Sequence, residues 1–540
     1  MIQDKMDFSM YINRFFIFLV TLTCLSGCSM TPSRTTSDWF GEYGTMTTGT
    51  PVQMQYGTFT NTDDIVHRMA VLLPLSGQNA SIGNAIRTSV ELATLQRQQP
   101  NLVVTFYDTA KNPSDAINDA LATNPEIIIG PVFSSNAQIL RNSKPEHTPV
   151  LSFTSDATAI DDGVMTMALM PTNSIEAIIR EMKQDGTKDF IIIAPETKSG
   201  TILAGTARAA ATEYDIPVAG VFYYKEQDTD SIKNTTIAAS MNPARRAANT
   251  RAREILSDIL TKERLTAIEK SSLSNQLAEI SQTDTLGNVP YNAILFLGNA
   301  DDTKKLASFL RYYGVGTRDV QFYGTAMWDG SDIGNDITMS GAKFATLTDT
   351  DTSFANTYEQ ISGTQPSKIA SFGYDATNMA IGMIYSDKTN AQYLMNPSGY
   401  IGNDGLFRLK PTGESERALR IVQLNGTGTP RIIRNTPTNF ITPLYNIESR
   451  HVSPARAMEL QTPGVNPNNY ISIPDRLRSK YRSKTYGANM TQQKPQPAQI
   501  AETVTILPED DSDVIVSSDF TPVTHETVNR EYIDSIEIEE

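Results

Sequence analysis

From Arg68 onward, apolar runs of strand length alternate with stretches of helical periodicity. That alternation limits the fold more than any other feature of the chain. Strands are expected at 69–73, 102–107, 126–129, 150–153, 190–194, 218–223, 293–297 and 320–323. Helices are expected at 81–96, 113–121, 136–142, 174–183, 203–213 and 301–312. The strands are apolar throughout rather than on alternate residues, as in parallel sheets covered on both faces. There are too many units for one comfortable open sheet. The expectation is an α/β protein with two Rossmann-like, doubly wound lobes.

The length of 540 residues leaves room for two to four domains. The net charge of −15 is unevenly spread. Residues 501–540 hold twelve acidic side chains and one basic one, Arg530, a balance of −11. The remaining 500 residues therefore carry −4 (−15 minus −11). A body so nearly balanced has no basic footprint for nucleic acid. The two cysteines, Cys24 and Cys28, both lie near the start. The body therefore holds neither a disulfide nor a cysteine-ligated metal.

Arg14 precedes an apolar run, F-F-I-F-L-V-T-L at 15–22. The run is too short to span a bilayer, which takes about 20 residues, and has the length of a signal-peptide core. It ends in Leu25-Ser26-Gly27-Cys28, which resembles the lipobox of bacterial lipoproteins. That resemblance implies cleavage before Cys28, acylation of the cysteine and a membrane anchor. Ser29 after it implies the periplasmic face of the outer membrane. Asp4 and Asp7 are unusual in such a leader, and Met10 would start a better one. The Thr-, Ser- and Gly-rich stretch from 28 to 66 reads as a flexible tether.

Residues 241–282 interrupt the strand–helix rhythm. Leu256, Ile259, Leu260, Leu265, Ile268, Leu273, Leu277 and Ile280 recur among charges, as in an amphipathic helix or helix pair. Such a pair either docks on its own lobe or offers a face to a partner. Beyond 440 the periodicity fades, and 441–540 is expected to be mostly disordered. Arg476, Arg478, Lys480, Arg482 and Lys484 form a basic cluster there. It either meets the acidic end of the chain or binds an anionic membrane or wall polymer.

Little in the chain announces catalysis or a cofactor. His67, His147, His451 and His525 form no metal-ligating pair, and no phosphate-binding glycine loop occurs. Ser340-Gly341-Ala342-Lys343 matches the S-x-x-K of serine penicillin-recognising enzymes, and Lys198-Ser199-Gly200 loosely matches their K-T-G. Their order is reversed, however, and Ser340 precedes an expected strand at 342–347 rather than opening a helix. Nothing points to a pair of catalytic carboxylates.

Six segments recur in one order: A-V-L-L-P-L-S-G-Q-N-A-S-I-G (70–83), Y-D-T-A-K-N-P-S-D-A (107–116), I-I-G-P-V-F-S-S-N-A (128–137), V-L-S-F-T-S (150–155), F-G-Y-D-A-T-N-M-A (372–380) and G-L-F-R-L-K-P-T-G-E-S-E-R (405–417). Over 67–440 the chain thereby resembles the leucine-binding-protein family of type I periplasmic binding proteins. The resemblance implies two lobes joined by three crossovers, near 171–174, 323–327 and 396–405. Lobe one would then be 67–171 with 327–396, and lobe two 174–323 with 405–440. It also implies a cleft in which Ser76, Ser134, Ser135, Thr154 and Ser155 of lobe one face a carboxylate-bearing ligand. On lobe two the family's aromatic aligns with Ser199 and its acidic residue near Ala326. Asp329 is the nearest substitute for the latter.

The segment Y-G-T-A-M-W-D (323–329), the lipobox and the 241–282 insert also resemble a lipoprotein branch of this fold, the penicillin-binding-protein activators. This implies a non-enzymatic regulator that stimulates a cell-wall synthase. The alternative is a receptor delivering an amino acid or related metabolite to an ABC transporter permease. A lobe-two carboxylate facing the cleft would favour the receptor. An exposed apolar stripe on 255–280 would favour the regulator.

Overall fold

The computed structural model describes residues 51–53, 65–99, 101–161, 163–386, 393–440 and 464–487. The leader, Cys28 and most of the tether and tail lie outside them. No helix among the described residues is long and apolar enough to cross a membrane.

The first sheet is parallel. It is built from β2 (His67–Leu73), β3 (Leu102–Asp108), β4 (Ile127–Ile129), β5 (Val150–Ser152) and β6 (Val164–Thr166), in the order β3-β2-β4-β5-β6. Its intervening helices are α1 (Ala80–Arg97), α2 (Pro113–Ala122) and α3 (Ser134–Ser143). Ile127, Ile128 and Ile129 are fully buried, which is why this strand reads as an unbroken apolar run. Asn112 marks the start of α2: its side chain accepts from the Asp115 N–H, and Pro113 fills the first helical position.

The second sheet repeats this plan. The strands are β7 (Phe190–Pro195), β8 (Val218–Tyr224), β9 (Ala293–Phe296), β10 (Gln321–Gly324), β11 (Lys343–Thr346), β15 (Arg420–Gln423) and β16 (Arg431–Arg434), in the order β16-β15-β11-β10-β9-β7-β8. The last two strands to join, β15 and β16, run antiparallel. Helices α4 (Pro171–Gln184), α5 (Lys198–Glu213), α6 (Thr229–Ala239), α7 (Asn242–Lys262), α8 (Ala267–Ser281) and α9 (Ala300–Tyr312) accompany it. In each sheet the first strand, β2 or β7, is flanked by the second on one side and the third on the other. The strand order thus reverses beside β2 and beside β7, where such sheets bind ligands.

The chain passes between the sheets three times: after Thr166, after Thr346 and between Arg417 and Arg420. The second passage is not at 323–327, because β11 pairs with β10 (Gly324↔Phe344) and with β15 (Phe344↔Val422). Lys343 opens this interior strand, and its ammonium is absorbed by Glu181 and Asp185 of the α4 region. The third passage is not at 396–405. There β12 (Tyr400–Gly402) and β13 (Gly405–Leu409) form a hairpin that pairs with β14 (Ser415–Arg417) and β1 (Val52–Gln53) in a separate small sheet. Gly405, at φ +101°, makes the tight turn.

Between the second and third passages, α10 (Thr352–Ser362) and α11 (Lys368–Ile384) return to the first lobe. Helix α11 is buried from Ile369 to Met383 and packs along α1. Gly373 permits the close approach, since a Cβ there would stand 2.9 Å from Ile86 Cγ2. The polar residues of F-G-Y-D-A-T-N-M-A are satisfied internally. Arg97 Nε donates to Asn378 Oδ1 at 2.7 Å, and Asn403 donates to Asp375.

The insert at 241–282 forms the pair α7–α8. Helix α8 opens with a full capping box between Thr266 and Glu269. Ile255, Leu256, Ile259 and Leu273 are buried in the second lobe's core. The 255–280 stripe is therefore covered rather than offered to solvent, although Ile268 is 83% exposed. Part of its cover comes from residues 464–487, an ordered segment within the tail expected to be mostly disordered. Val465, Ile471, Ile473, Leu477 and Tyr481 join the same core. Two of the five basic residues, Arg476 and Lys480, pair with Glu269 and Glu263 rather than with the acidic end of the chain.

Candidate functional site

The turn after β2 occupies the reversal point of the first sheet. Gly77 has φ +76°, and α1 begins three residues later. Gly83 lets this helix press onto the strand end, since a Cβ there would meet the Pro74 carbonyl at 2.1 Å. The turn is held from the neighbouring strand by Asp108. The Leu75 and Ala110 N–H groups donate to Asp108 Oδ1 at 2.9 and 3.0 Å. Burial pushes this carboxyl up, but the nearby Ser76 hydroxyl and the N–H groups of Ala110, Leu75 and Ser76 outweigh it. They hold Asp108 below the ordinary carboxylate range.

The next two strands deliver the remaining hydroxyls. After β4, a cis Gly130–Pro131 bond leads into α3, whose first residues are Ser134 (buried) and Ser135 (half-buried). Phe133 stands at the cap position and brings no side-chain acceptor to the first-turn N–H groups. After β5, Thr154 and Ser155 are both buried. Thr154 Oγ1 accepts from the Asp156 N–H at 3.2 Å, and the Thr154 N–H donates to Ser152 Oγ at 3.2 Å. Since β2, β4 and β5 are adjacent, Ser76, Ser134, Ser135, Thr154 and Ser155 share one edge of the sheet. Hydroxyls beside the open N-terminus of α3 make a surface suited to an anion or carboxylate.

The second lobe supplies less. Gly200 repeats the role of Gly83, with a Cβ position 2.1 Å from the Pro195 carbonyl. Thr197 caps α5 by accepting from the Gly200 N–H at 2.9 Å, and Ser199 is half-buried in the first turn. Beyond β10, Trp328 turns inward against Phe296 and Phe344, packing over Gly324 where a Cβ would clash. The next residue, Asp329, is exposed and lies in the field of Arg420. Arg420 is itself held by both oxygens of Asp349, at 2.9 and 2.6 Å. Asp329 thus sits near a guanidinium of its own chain.

Sequence reasoning missed the positioning role of Asp108, although the Tyr107-Asp108 pair carried the signal. It also missed Tyr224, whose buried hydroxyl at the end of β8 lies against Gly298. No motif marks that position. The S-x-x-K match has no catalytic geometry. Lys343 Nζ donates to Glu181 at 3.0 Å and to Asp185 at 2.7 Å, so it is a paired ammonium and not a base. No group of three His, Cys, Asp or Glu side chains among the described residues is placed to hold a metal.

The profile of the family described as "LppC putative lipoprotein" matches residues 48–214. Among curated proteins, the chain is 27% identical over 191 residues to the penicillin-binding protein activator LpoA of Mannheimia succiniciproducens. That match covers 34% of this chain and 32% of the relative. It is 25% identical over 263 residues to the protein of the same name from Pasteurella multocida, covering 46% of this chain and 42% of the relative. The matches thus span under half of these relatives' lengths. Among solved structures, one described as a putative branched-chain amino acid ABC transporter from Rhodospirillum rubrum is similar with a TM-score of 0.51. It is 16% identical and covers 68% of this chain and all of that one. That likeness is one of fold alone, and in sequence the chain resembles the two LpoA proteins over part of its length.

Proposed function

We propose that this chain is a non-enzymatic lipoprotein of the bacterial cell envelope that regulates a peptidoglycan synthase. Cys28 would carry the lipid, placing the protein on the periplasmic face of the outer membrane. The curated relatives are named as activators of a penicillin-binding protein. The observation that carries the reading is the position of Asp329. It is exposed and lies in the field of Arg420, so the acid aligned nearest to the family's ammonium partner already faces a cation of its own chain. Burying an ammonium without such a partner is costly. A fold that keeps its two lobes while losing half of its amino-acid pocket fits a protein that works through its surface.

The direct test measures glycan-strand synthesis by a purified bifunctional synthase from the same cell, with and without the full-length protein. Stimulation together with co-purification supports the regulator. Unchanged synthesis and no co-purification with any synthase of that cell would overturn it.

One observation favours a second reading, a solute receptor. The row Ser76, Ser134, Ser135, Thr154 and Ser155 retains the chemistry for a carboxylate. The melting temperature against a panel of amino acids, short peptides and wall fragments separates the two readings. A ligand at about 100 times its Kd adds ~2.7 kcal/mol, a shift of a few degrees at most in a protein this large. A clear shift with one amino acid would make the receptor the leading reading.

A further inference from the structure

The segment 464–487 is bound to the second lobe in an unusual way. Its backbone hydrogen bonds run within itself: Asn469 to Asn466, Tyr470 to Pro467, Leu477 to Pro474 and Tyr481 to Leu477. Its two ends pair with each other, Gly464 with Gly487 and Val465 with Tyr486. The segment is thus a closed excursion that brings its ends together. Nothing in that geometry requires it to be threaded through the lobe.

Its ties to α7 and α8 go through side chains. Ile471, Ile473, Leu477 and Tyr481 are buried in the same apolar core as Ile259 and Leu273. Gln276 clamps Ser472 at both ends, with Nε2 donating to the carbonyl at 3.1 Å and Oε1 accepting from the N–H at 2.7 Å. Around this seam stands an acidic rim. Arg476 Nη2 donates to Glu269 Oε2 at 2.9 Å and to the Arg264 carbonyl at 3.2 Å. Lys480 and the Tyr481 hydroxyl both donate to Glu263 Oε1, at 2.6 and 2.8 Å. The loop carries five basic residues and one acidic one, a balance of +4.

We propose that the α7–α8 seam is a peptide-recognition groove, and that residues 464–487 are its built-in, exchangeable ligand. Clamping a peptide backbone with one glutamine, filling a seam with its apolar side chains and reading flanking cations with glutamates is how grooves bind segments in trans. The class of ligand the groove takes is a basic, amphipathic segment. Its apolar residues set affinity, and cations five residues (Arg476) and nine residues (Lys480) past the first seam isoleucine set selectivity. The exposed ion pairs are the part that salt screens. This inference does not depend on the function proposed above.

The test uses the full-length protein with a protease site inserted within 441–463, cut after purification, and a fluorescent synthetic peptide of residues 464–487. The released tail is expected to stay with the body on gel filtration at low salt and to be replaced by excess peptide. An R476E/K480E peptide is expected to compete about tenfold less well, in keeping with the loss of two exposed ion pairs. Since the charge changes are in the peptide, folding of the body is not at stake. A tail that never exchanges, even under a large excess of peptide, would overturn the proposal and make the loop a fixed part of the core. Equal competition by both peptides would overturn the role of the acidic rim. A dimer in which one copy's loop fills the other's groove would overturn its assignment as a ligand in cis.

Discussion

Asp375 and Asn403 are locked together inside the first lobe. The Asn403 N–H lies 3.1 Å from both oxygens of Asp375, and its side-chain amide donates to Oδ1 at 3.0 Å. The pair ties α11 to the β12–β13 hairpin. Asp404, the neighbouring carboxylate, is held by Lys368 at 2.8 Å and by the Ser371 hydroxyl. The guanidinium of Arg417 stacks over Phe372 and Phe407 and donates to the Met167 carbonyl.

This arrangement predicts a pH dependence. Burial, then the charge of Asp404, push the Asp375 carboxyl up to about 8 against the pull of Arg417 and Asn403. A folded pKa above the unfolded one means that the native state binds more protons between about pH 4 and about pH 8. Stability should therefore fall as pH rises through that window. Asp375→Asn cannot ionise, so the variant should lose less stability than wild type between pH 5 and pH 8. Thermal melts at the two pH values check this. Parallel loss in both proteins would show that Asp375 is not the group responsible.

The two lobes share one packing device at the start of their first helices. Gly83→Ala and Gly200→Ala each place a Cβ 2.1 Å from a backbone carbonyl, of Pro74 and Pro195 respectively. Backbone cannot rotate aside as a side chain can. Each substitution should cost about 1–3 kcal/mol and shift the nearby turn. Denaturant unfolding measures the cost, and hydrogen exchange at 75–79 or 196–199 measures the shift.

Lys343 sits between Glu181, which is 2% exposed, and Asp185. Tyr323 also donates to Asp185, and Arg434 pairs with Glu181. Lys343→Met should destabilise the protein by about 1–3 kcal/mol, because it leaves the buried Glu181 carboxylate with Arg434 alone. Ser340→Ala should be nearly neutral, and a fluorescent penicillin should label neither wild type nor variant. Covalent labelling lost in Ser340→Ala would reinstate an acyl-enzyme reading.

Asp108, itself half-buried, organises the Ser76 turn. Its depressed pKa means that its contribution is present above the ordinary carboxylate pKa and is lost as pH falls through the folded value. Asp108→Asn should cost no more than about 1 kcal/mol at neutral pH, given solvent screening. The difference from wild type should vanish in acid. A larger cost at neutral pH than at pH 3, confined to the turn by hydrogen exchange, is the expected pattern. Equal stability at both pH values would remove Asp108 from its organising role.

Much of the fold was written locally. The runs around Met69, Ile128 and Ile192 read as buried parallel strands by their length and β-branched content, and Asn112-Pro113 reads as a helix start. Periodicity and caps act over a few residues, so one sequence displays them. It also placed Ser76, Ser134, Ser135, Thr154 and Ser155 after the first, third and fourth strands, and strand order then brought them to one edge. What it left open depended on partners far along the chain. Lys343 reads as a solvent residue until Glu181 and Asp185, more than 150 residues earlier, take up its charge and let β11 enter the second sheet. Asp329 reads as the nearest substitute for a ligand acid, and only the tertiary structure brings it into the field of Arg420. The cations at 476 and 480 read as a disordered basic cluster until Glu269 and Glu263 hold them against α7 and α8. In each case the deciding term was the pairing of a charge across the tertiary structure, and no local pattern encodes which distant residue a charge will meet.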